Sequence, residues 1–169
     1  MAKQKDNGAY SIGDWVVHRY HGVGKVSRVE EKKLGGELAE FFRVVGDETI
    51  FWIPVENADN ERIRPVVSKR ELRRAIKVLS KTPEKMQNDY RKRQSRIKHV
   101  KSEGGLTAIC KIVRDLIGRK RDKGLNESET RALRFFRELL LSEWAICTDK
   151  PVDEVAEEFR QAVNTPELV

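Results

Sequence analysis

From residue 10 to residue 66, apolar positions fall in short alternating runs broken by glycines and charges. From Ser68 onward they recur at helical spacing almost to the end. The pattern predicts an α+β chain of two modules. In the first, Asp14-Trp15-Val16-Val17-His18 reads as a strand, Tyr20 to Gly24 as a turn, and Lys25 to Glu30 as a second strand. Gly35-Gly36 marks a hairpin turn between that strand and Leu38–Val45, and Gly46-Asp47 separates the latter from Glu48–Ile53. Pro54 ends the last strand because it has no N–H to give a ladder. Four or five short strands in so few residues are too little for a sandwich. The compact solution is a small, strongly bent barrel of the Tudor or SH3 kind.

The module boundary is placed at Arg64-Pro65-Val66-Val67-Ser68. Ser68 with Glu71 three residues on makes a capping box, and Leu72, Ala75, Ile76 and Leu79 give the stripe of a first helix. Thr82-Pro83 reads as the start of a second, a hydroxyl cap before proline at the first helical position, running to about Ser102 and stopped by Gly104-Gly105. Leu106 to Ile117 carries a third helix, with a stop signal at Lys123-Gly124. Asn126 with Glu129 caps a fourth, and Pro151 precedes a fifth with the stripe Val152, Val155, Ala156, Phe159, Val163. The expected organisation is a disordered tail at 1–9, a β module at 10–66 and a five-helix all-α domain at 67–169.

Charge sharpens this division. The chain has 169 residues and a formal net charge of +7. Residues 1–67 are nearly neutral at −1, residues 68–101 carry +10, residues 102–124 carry +3, and the remainder carries −5. Lys69, Arg70, Arg73, Arg74 and Lys77, then Lys85, Arg91, Lys92, Arg93, Arg96, Lys98 and Lys101, face only Glu71, Glu84 and Asp89 in the basic stretch. Such a density of like charge is self-repelling, and a nucleic-acid backbone relieves it. Met86 and Tyr90 are the only large apolar or aromatic groups among the first cations of the second helix. Two readings are open: a packing stripe of 86, 90, 93, 97 and 100, or Met86 as an apolar wedge against a base step.

In the β module Phe51-Trp52-Ile53 places neighbours on opposite faces, so either Phe51 or Trp52 points outward beside a strand edge that a partner strand can join. Enzyme signals are missing. His18 and His21 lack companions for a metal set, and Gly22-Val23-Gly24 precedes a strand rather than a helix, unlike a nucleotide fingerprint. Cys110 and Cys147 lie in helical apolar patterns and suggest no disulfide framework. Neither a signal peptide nor a membrane span is legible, so a cytoplasmic monomer without cofactor is expected.

The opening Gly13-Asp14-Trp15-Val16-Val17-His18-Arg19-Tyr20-His21-Gly22-Val23-Gly24-Lys25-Val26 and the later Ile53-Pro54-Val55-Glu56-Asn57-Ala58 together resemble the CarD/CdnL family of bacterial transcription regulators. The first module also resembles the RNA-polymerase-interacting domain of transcription-repair coupling factor. The likeness extends through Val113-Arg114-Asp115-Leu116 and Lys123-Gly124-Leu125, covering about residues 10–165.

The resemblance implies a Tudor-like module that docks on the polymerase β subunit by adding strand to strand. It also implies a helical domain that touches promoter DNA at the upstream fork of the bubble and stabilises the open complex. A family tryptophan that wedges into the minor groove is matched by Met86, four residues before Tyr90. The polymerase contacts that the resemblance implies are Lys32 and Trp52, and Ile50 and Phe51 on the same strand as Trp52 are expected to join them. The DNA contacts that the resemblance implies are Met86, Arg91 and Arg131, and Lys85, Tyr90 and Arg93 of the basic stretch are expected beside them, through phosphates with little sequence specificity. A different reading is an RNA- or ribosome-associated protein, because the same opening resembles the SH3-like motif of translation and elongation factors.

Overall fold

The computed structural model describes residues 9–58 and 62–164, and of the tail expected at 1–9 residues 1–8 lie outside them. The chain divides into two compact units, 1–66 and 67–169. In the first, β1 (Trp15–His18), β2 (Gly22–Leu34), β3 (Glu37–Val45), β4 (Ile50–Pro54) and β5 (Ile63–Pro65) form one antiparallel sheet in the order β4-β3-β2-β1-β5. This is the small Tudor-like module that the strand pattern predicts. Gly35 and Gly36, with φ of 61° and 93°, supply the left-handed pair that a two-residue hairpin needs.

Several strand ends differ from expectation, two of them for a visible reason. The turn after β1 closes by residue 21 rather than 24, because the His18 imidazole Nδ1 accepts hydrogen bonds from the backbone N–H of Tyr20 (3.1 Å) and His21 (3.2 Å). Gly22 is then already opposite His18. The stretch that runs into the module boundary, given no strand of its own by the sequence, contributes β5: Ile63 enters the core while Pro65 pairs with Val16 on the outermost strand, where a missing N–H costs least. The core itself is Val16, Val26, Phe42, Val44, Phe51 and Ile53, joined by Tyr10, Ala58 and Ile63. A bulge at Ser27, between the pairs Val26↔Val44 and Arg28↔Arg43, bends β2 over it.

The His18 turn makes the β unit sensitive to acid. Burial, then the charges of His21, Arg62 and Arg19, lower the His18 pKa from 6.5 to about 4. Between those values the unfolded chain takes a proton that the folded imidazole refuses, so the contribution of His18 to stability is complete above 6.5 and is lost as pH falls toward 4. His18→Asn keeps an acceptor without the titration. The urea midpoint of the wild type, followed through β1 and β2 amide signals, is expected to fall more between pH 7 and 4.5 than that of the variant.

The second unit contains α1 (Lys69–Ile76), α2 (Tyr90–Glu103), α3 (Leu106–Asp122), α4 (Glu127–Thr148) and α5 (Val152–Asn164), with a 3-10 turn at Lys77–Ser80 continuing α1. Both capping boxes form: Ser68 with Glu71 opens α1, and Asn126 with Glu129 opens α4. Leu72 and Ala75 of α1, Leu79 of the turn, and Ile109, Ile112, Val113 and Leu116 of α3 are buried. So are Phe136, Leu140 and Trp144 of α4 and Val155 and Phe159 of α5. Glu143, fully buried on α4, accepts the Val67 N–H at 3.0 Å, and the Cys147 thiol donates to the Val67 carbonyl at 3.2 Å, fixing the lead into α1.

One helix start is corrected. The second helix opens at Tyr90, capped by Asp89, whose carboxylate accepts the Lys92 N–H at 3.0 Å. Thr82-Pro83 opens no helix. Residues 81–89 are a non-helical strap across α3.

Candidate functional site

Contacts along its whole length hold the strap. Pro83 sits against Gly118, where an added Cβ would meet the proline ring at 2.5 Å. The Glu84 N–H donates to Asp115 at 2.9 Å, and Met86 turns inward to a residual exposure of 9%. At its far end the Arg93 guanidinium donates to the carbonyls of Gln87 (3.0 Å) and Asn88 (2.5 Å).

Arg93 is therefore not a surface cation. It is buried and ion-paired with Glu129, which is fully buried, while Arg119 approaches the other carboxylate oxygen at 3.5 Å. Desolvation works to raise the Glu129 pKa, but the hydrogen bonds from Arg93 and the Asn126 backbone and the charges of Arg93 and Arg119 outweigh it. The carboxyl ends below its ordinary value. Arg96 is likewise committed, donating to the buried carboxylate of Asp115 at 2.5 Å, which Arg114 also reaches at 2.7 Å. Arg93 is thus internal glue, and Arg96, with a side chain 33% exposed, is tied to the same interior; Arg93, expected among the DNA contacts, is buried with its Nε and one terminal nitrogen engaged inside the unit. Sequence reasoning missed Asp115 and Glu143 as buried partners. The available signal was their position inside the apolar stripes of α3 and α4, next to Leu116 and Trp144.

What remains outward is a smaller set. Lys85 on the strap and Arg91 on α2 are exposed with no ion-pair partner among the described residues. Tyr90 is 51% exposed at the first position of α2. Arg131, exposed on α4, is held 3.3 Å from Glu127. The start of α4 is tied to α2 through Ser128 to Gln94 at 3.0 Å and Glu129 to Arg93, so Arg131 belongs to the same flank as Tyr90 and Arg91. A cleft of about 660 Å3 lies between the strap and the last turn of α3, lined by Pro83, Lys85, Met86, Asn88, Gly118 and Lys123. Met86 lies in its wall. Of the two open readings, the packed one describes this structure, although as a strap residue rather than as part of a helical stripe.

Truncating a side chain so placed acts on the fold first. Met86→Ala is expected to lower the stability of the helical unit by about 2 kcal/mol, the low end for buried methionine because a strap relaxes into the space more readily than a helix. Thermal unfolding of the two proteins measures it.

In the β unit, alternation along β4 resolves the question left open for Phe51 and Trp52. Phe51 and Ile53 are buried; Ile50 and Trp52 are exposed, at 47% and 41%. Phe51 is thereby removed from the expected contact surface: it packs in the core with its ring 5.2 Å from that of His21 and 5.4 Å from that of His18. Trp52 is exposed yet held. Its indole N–H donates to Glu30 at 2.8 Å, and the Lys32 ammonium sits 3.2 Å from the ring centroid in a cation–π contact. The Trp52 hydrogen bond, then that of Arg28, lowers the Glu30 pKa and keeps it an acceptor. β4 is an end strand of the sheet, and Lys32, Ile50 and Trp52 are all placed at or beside it.

Little else suggests chemistry. Among the described residues no group of three His, Cys, Asp or Glu side chains is arranged to hold a metal ion, and no helix is long and apolar enough to cross a membrane. Burial, then Glu143, pushes the Cys110 thiol up to about 12, far from the range of a nucleophile.

Comparison with known proteins agrees with the two units. Residues 10–67 match the family described as CarD-like/TRCF RID domain, and residues 74–160 match the family described as CarD, C-terminal domain. Over 137 residues, 79% of this chain and 89% of the relative, the sequence is 26% identical to YdeB of Bacillus subtilis (strain 168), which is described as a candidate transcription factor.

Proposed function

The chain belongs to the CarD family of transcription regulators, and from that premise we propose that its β unit docks on the β subunit of RNA polymerase while its helical unit holds promoter DNA at the upstream fork of the bubble. The observation that carries the first half is the β4 edge, with an exposed tryptophan locked between Glu30 and Lys32 on a strand that pairs with β3 on one side and with no strand on the other among the described residues. A fixed aromatic beside open backbone groups suits strand addition, because the ladder supplies affinity and the ring supplies an anchor with little rotamer entropy left to lose. Lys32 serves twice, holding the ring and presenting a positive charge.

For the DNA half, the outward set of Lys85, Tyr90, Arg91 and Arg131 supports contact with phosphates and one aromatic face. With Met86 folded into the strap, Tyr90 is the side chain on this flank suited to stacking on an unpaired base. Placement comes from docking: once the β unit is bound, weak DNA contacts act at high effective concentration and need not read sequence. The protein works as a monomer in the cytoplasm, without catalysis.

The deciding experiment follows the lifetime of polymerase–promoter open complexes after a heparin challenge, with and without the protein, beside pull-downs against polymerase and ribosomes. A longer lifetime with polymerase co-purification is expected. Co-purification with ribosomes alone would establish the RNA-associated reading instead. Tyr90→Ala is expected to shorten the lifetime without lowering the melting temperature.

A further inference from the structure

Removing Arg93 and Arg96 from the basic stretch leaves a second group of cations, on α1 and the first residue of the 3-10 turn that continues it, that the fork site does not use. Arg70, Arg73, Arg74 and Lys77 are all exposed, and none has an ion-pair partner among the described residues. Their spacing of i, i+3, i+4 and i+7 puts them on one helical face over about 10 Å, opposite the buried Leu72 and Ala75. The acidic residue within this helix, Glu71, is committed to the cap: its carboxylate accepts from both the backbone N–H and the hydroxyl of Ser68, each at 2.8 Å. Lys69 and Arg70 moreover lie in the first turn, where the helix dipole is already positive and cations are disfavoured.

We propose that this face of α1 is a second anion-binding surface, which takes the phosphate backbone of double-stranded DNA outside the melted region. Three features favour duplex DNA over a protein. The face has no exposed apolar side chain to serve as the anchor of a protein interface. Three of its four cations are arginines, whose forked donors match phosphate oxygens. A row of charges with nothing to read base edges suits a contact that positions without specifying. The inference rests on the reading that the helical unit binds DNA, and adds that it does so at two places: an aromatic-bearing flank for the fork and a purely ionic row for duplex.

The test uses the full chain and a fluorescent, blunt 20-bp duplex with no unpaired base, titrated at several salt concentrations. The comparison variant is Arg70→Gln/Arg73→Gln/Arg74→Gln/Lys77→Gln, whose four side chains are exposed and whose folding is checked by circular dichroism and thermal unfolding. Each phosphate contact contributes about 0.9 to the slope of log K against log salt, so losing three of the four is expected to reduce the slope by about 3 and affinity near 0.1 M salt by two to three orders of magnitude. Tyr90→Ala is expected to leave the same titration unchanged. A folded fourfold variant with the wild-type slope would overturn the inference and leave the fork reading intact, whereas a wild type that binds neither duplex nor forked DNA would overturn the fork reading as well. Loss of binding to phosphatidylserine vesicles, with duplex binding unaltered, would assign the row to a membrane surface and overturn the DNA proposal.

Discussion

Arg93→Ala is expected to destabilise the helical unit by about 3–5 kcal/mol, the largest effect of any single substitution outside the apolar core. The side chain satisfies the fully buried Glu129 and the carbonyls of Gln87 and Asn88 together. Its removal strands a carboxylate in a dry interior and frees the strap at its α2 end. Since a domain of this size has about 5–15 kcal/mol in all, the variant should populate unfolded or strap-open forms at 37 °C. Urea unfolding monitored at Trp144 provides the measurement. Arg93→Ala/Glu129→Leu should recover part of the loss, because the stranded charge is then gone. A small loss for Arg93→Ala would show that Arg119 alone holds the carboxylate. The pair also has a pH signature: with the Glu129 pKa below its ordinary value, its contribution is present above the ordinary carboxylate pKa and is lost as pH falls through the lower folded one.

The second large effect falls on binding. Trp52→Glu is expected to weaken polymerase binding by at least about 30-fold, corresponding to the roughly 2 kcal/mol that marks a buried aromatic anchor. It places a negative charge beside Glu30 and removes the ring over which Lys32 rests, while the fold is spared because Trp52 lies outside the core. Binding of the full chain to core polymerase by surface plasmon resonance measures the change. Trp52→Phe, which keeps a ring without the indole donor, should fall between the two. An unaltered affinity for Trp52→Glu would remove the β4 edge from the docking surface.

Local rules and tertiary contacts divide the structure between them. Capping boxes at Ser68 and Asn126, and the Gly35-Gly36 hairpin, are properties of a few consecutive residues and could be read directly. The strap could not. Thr82-Pro83 and Asp89 both satisfy the rules for a helix start, and the choice is made by Gly118 and Asp115, about thirty residues away in sequence, which hold Pro83 and the Glu84 N–H out of helical geometry. β5 was hidden for a similar reason, since three residues ending in proline have no signal of their own until Ile63 pairs across from His18. At the candidate sites, alternation showed that Phe51 and Trp52 must face opposite ways, but which one faces the core depends on β3 and β2. Charge density located the basic stretch, yet it could not separate Arg93 and Arg96 from their solvated neighbours, because their partners Glu129 and Asp115 lie on other helices.

The fit of Pro83 onto Gly118 has a consequence over evolutionary time. A side chain at position 118 and a proline ring at position 83 exclude one another, so neither is free to drift alone. A lineage that acquires alanine at 118 must first have lost the proline, and one that keeps the proline is bound to glycine in the middle of a helix, at a standing cost of about 1 kcal/mol. The two positions should therefore change together or not at all among descendants of this chain, and the strap they lock is inherited as a unit with the helix beneath it.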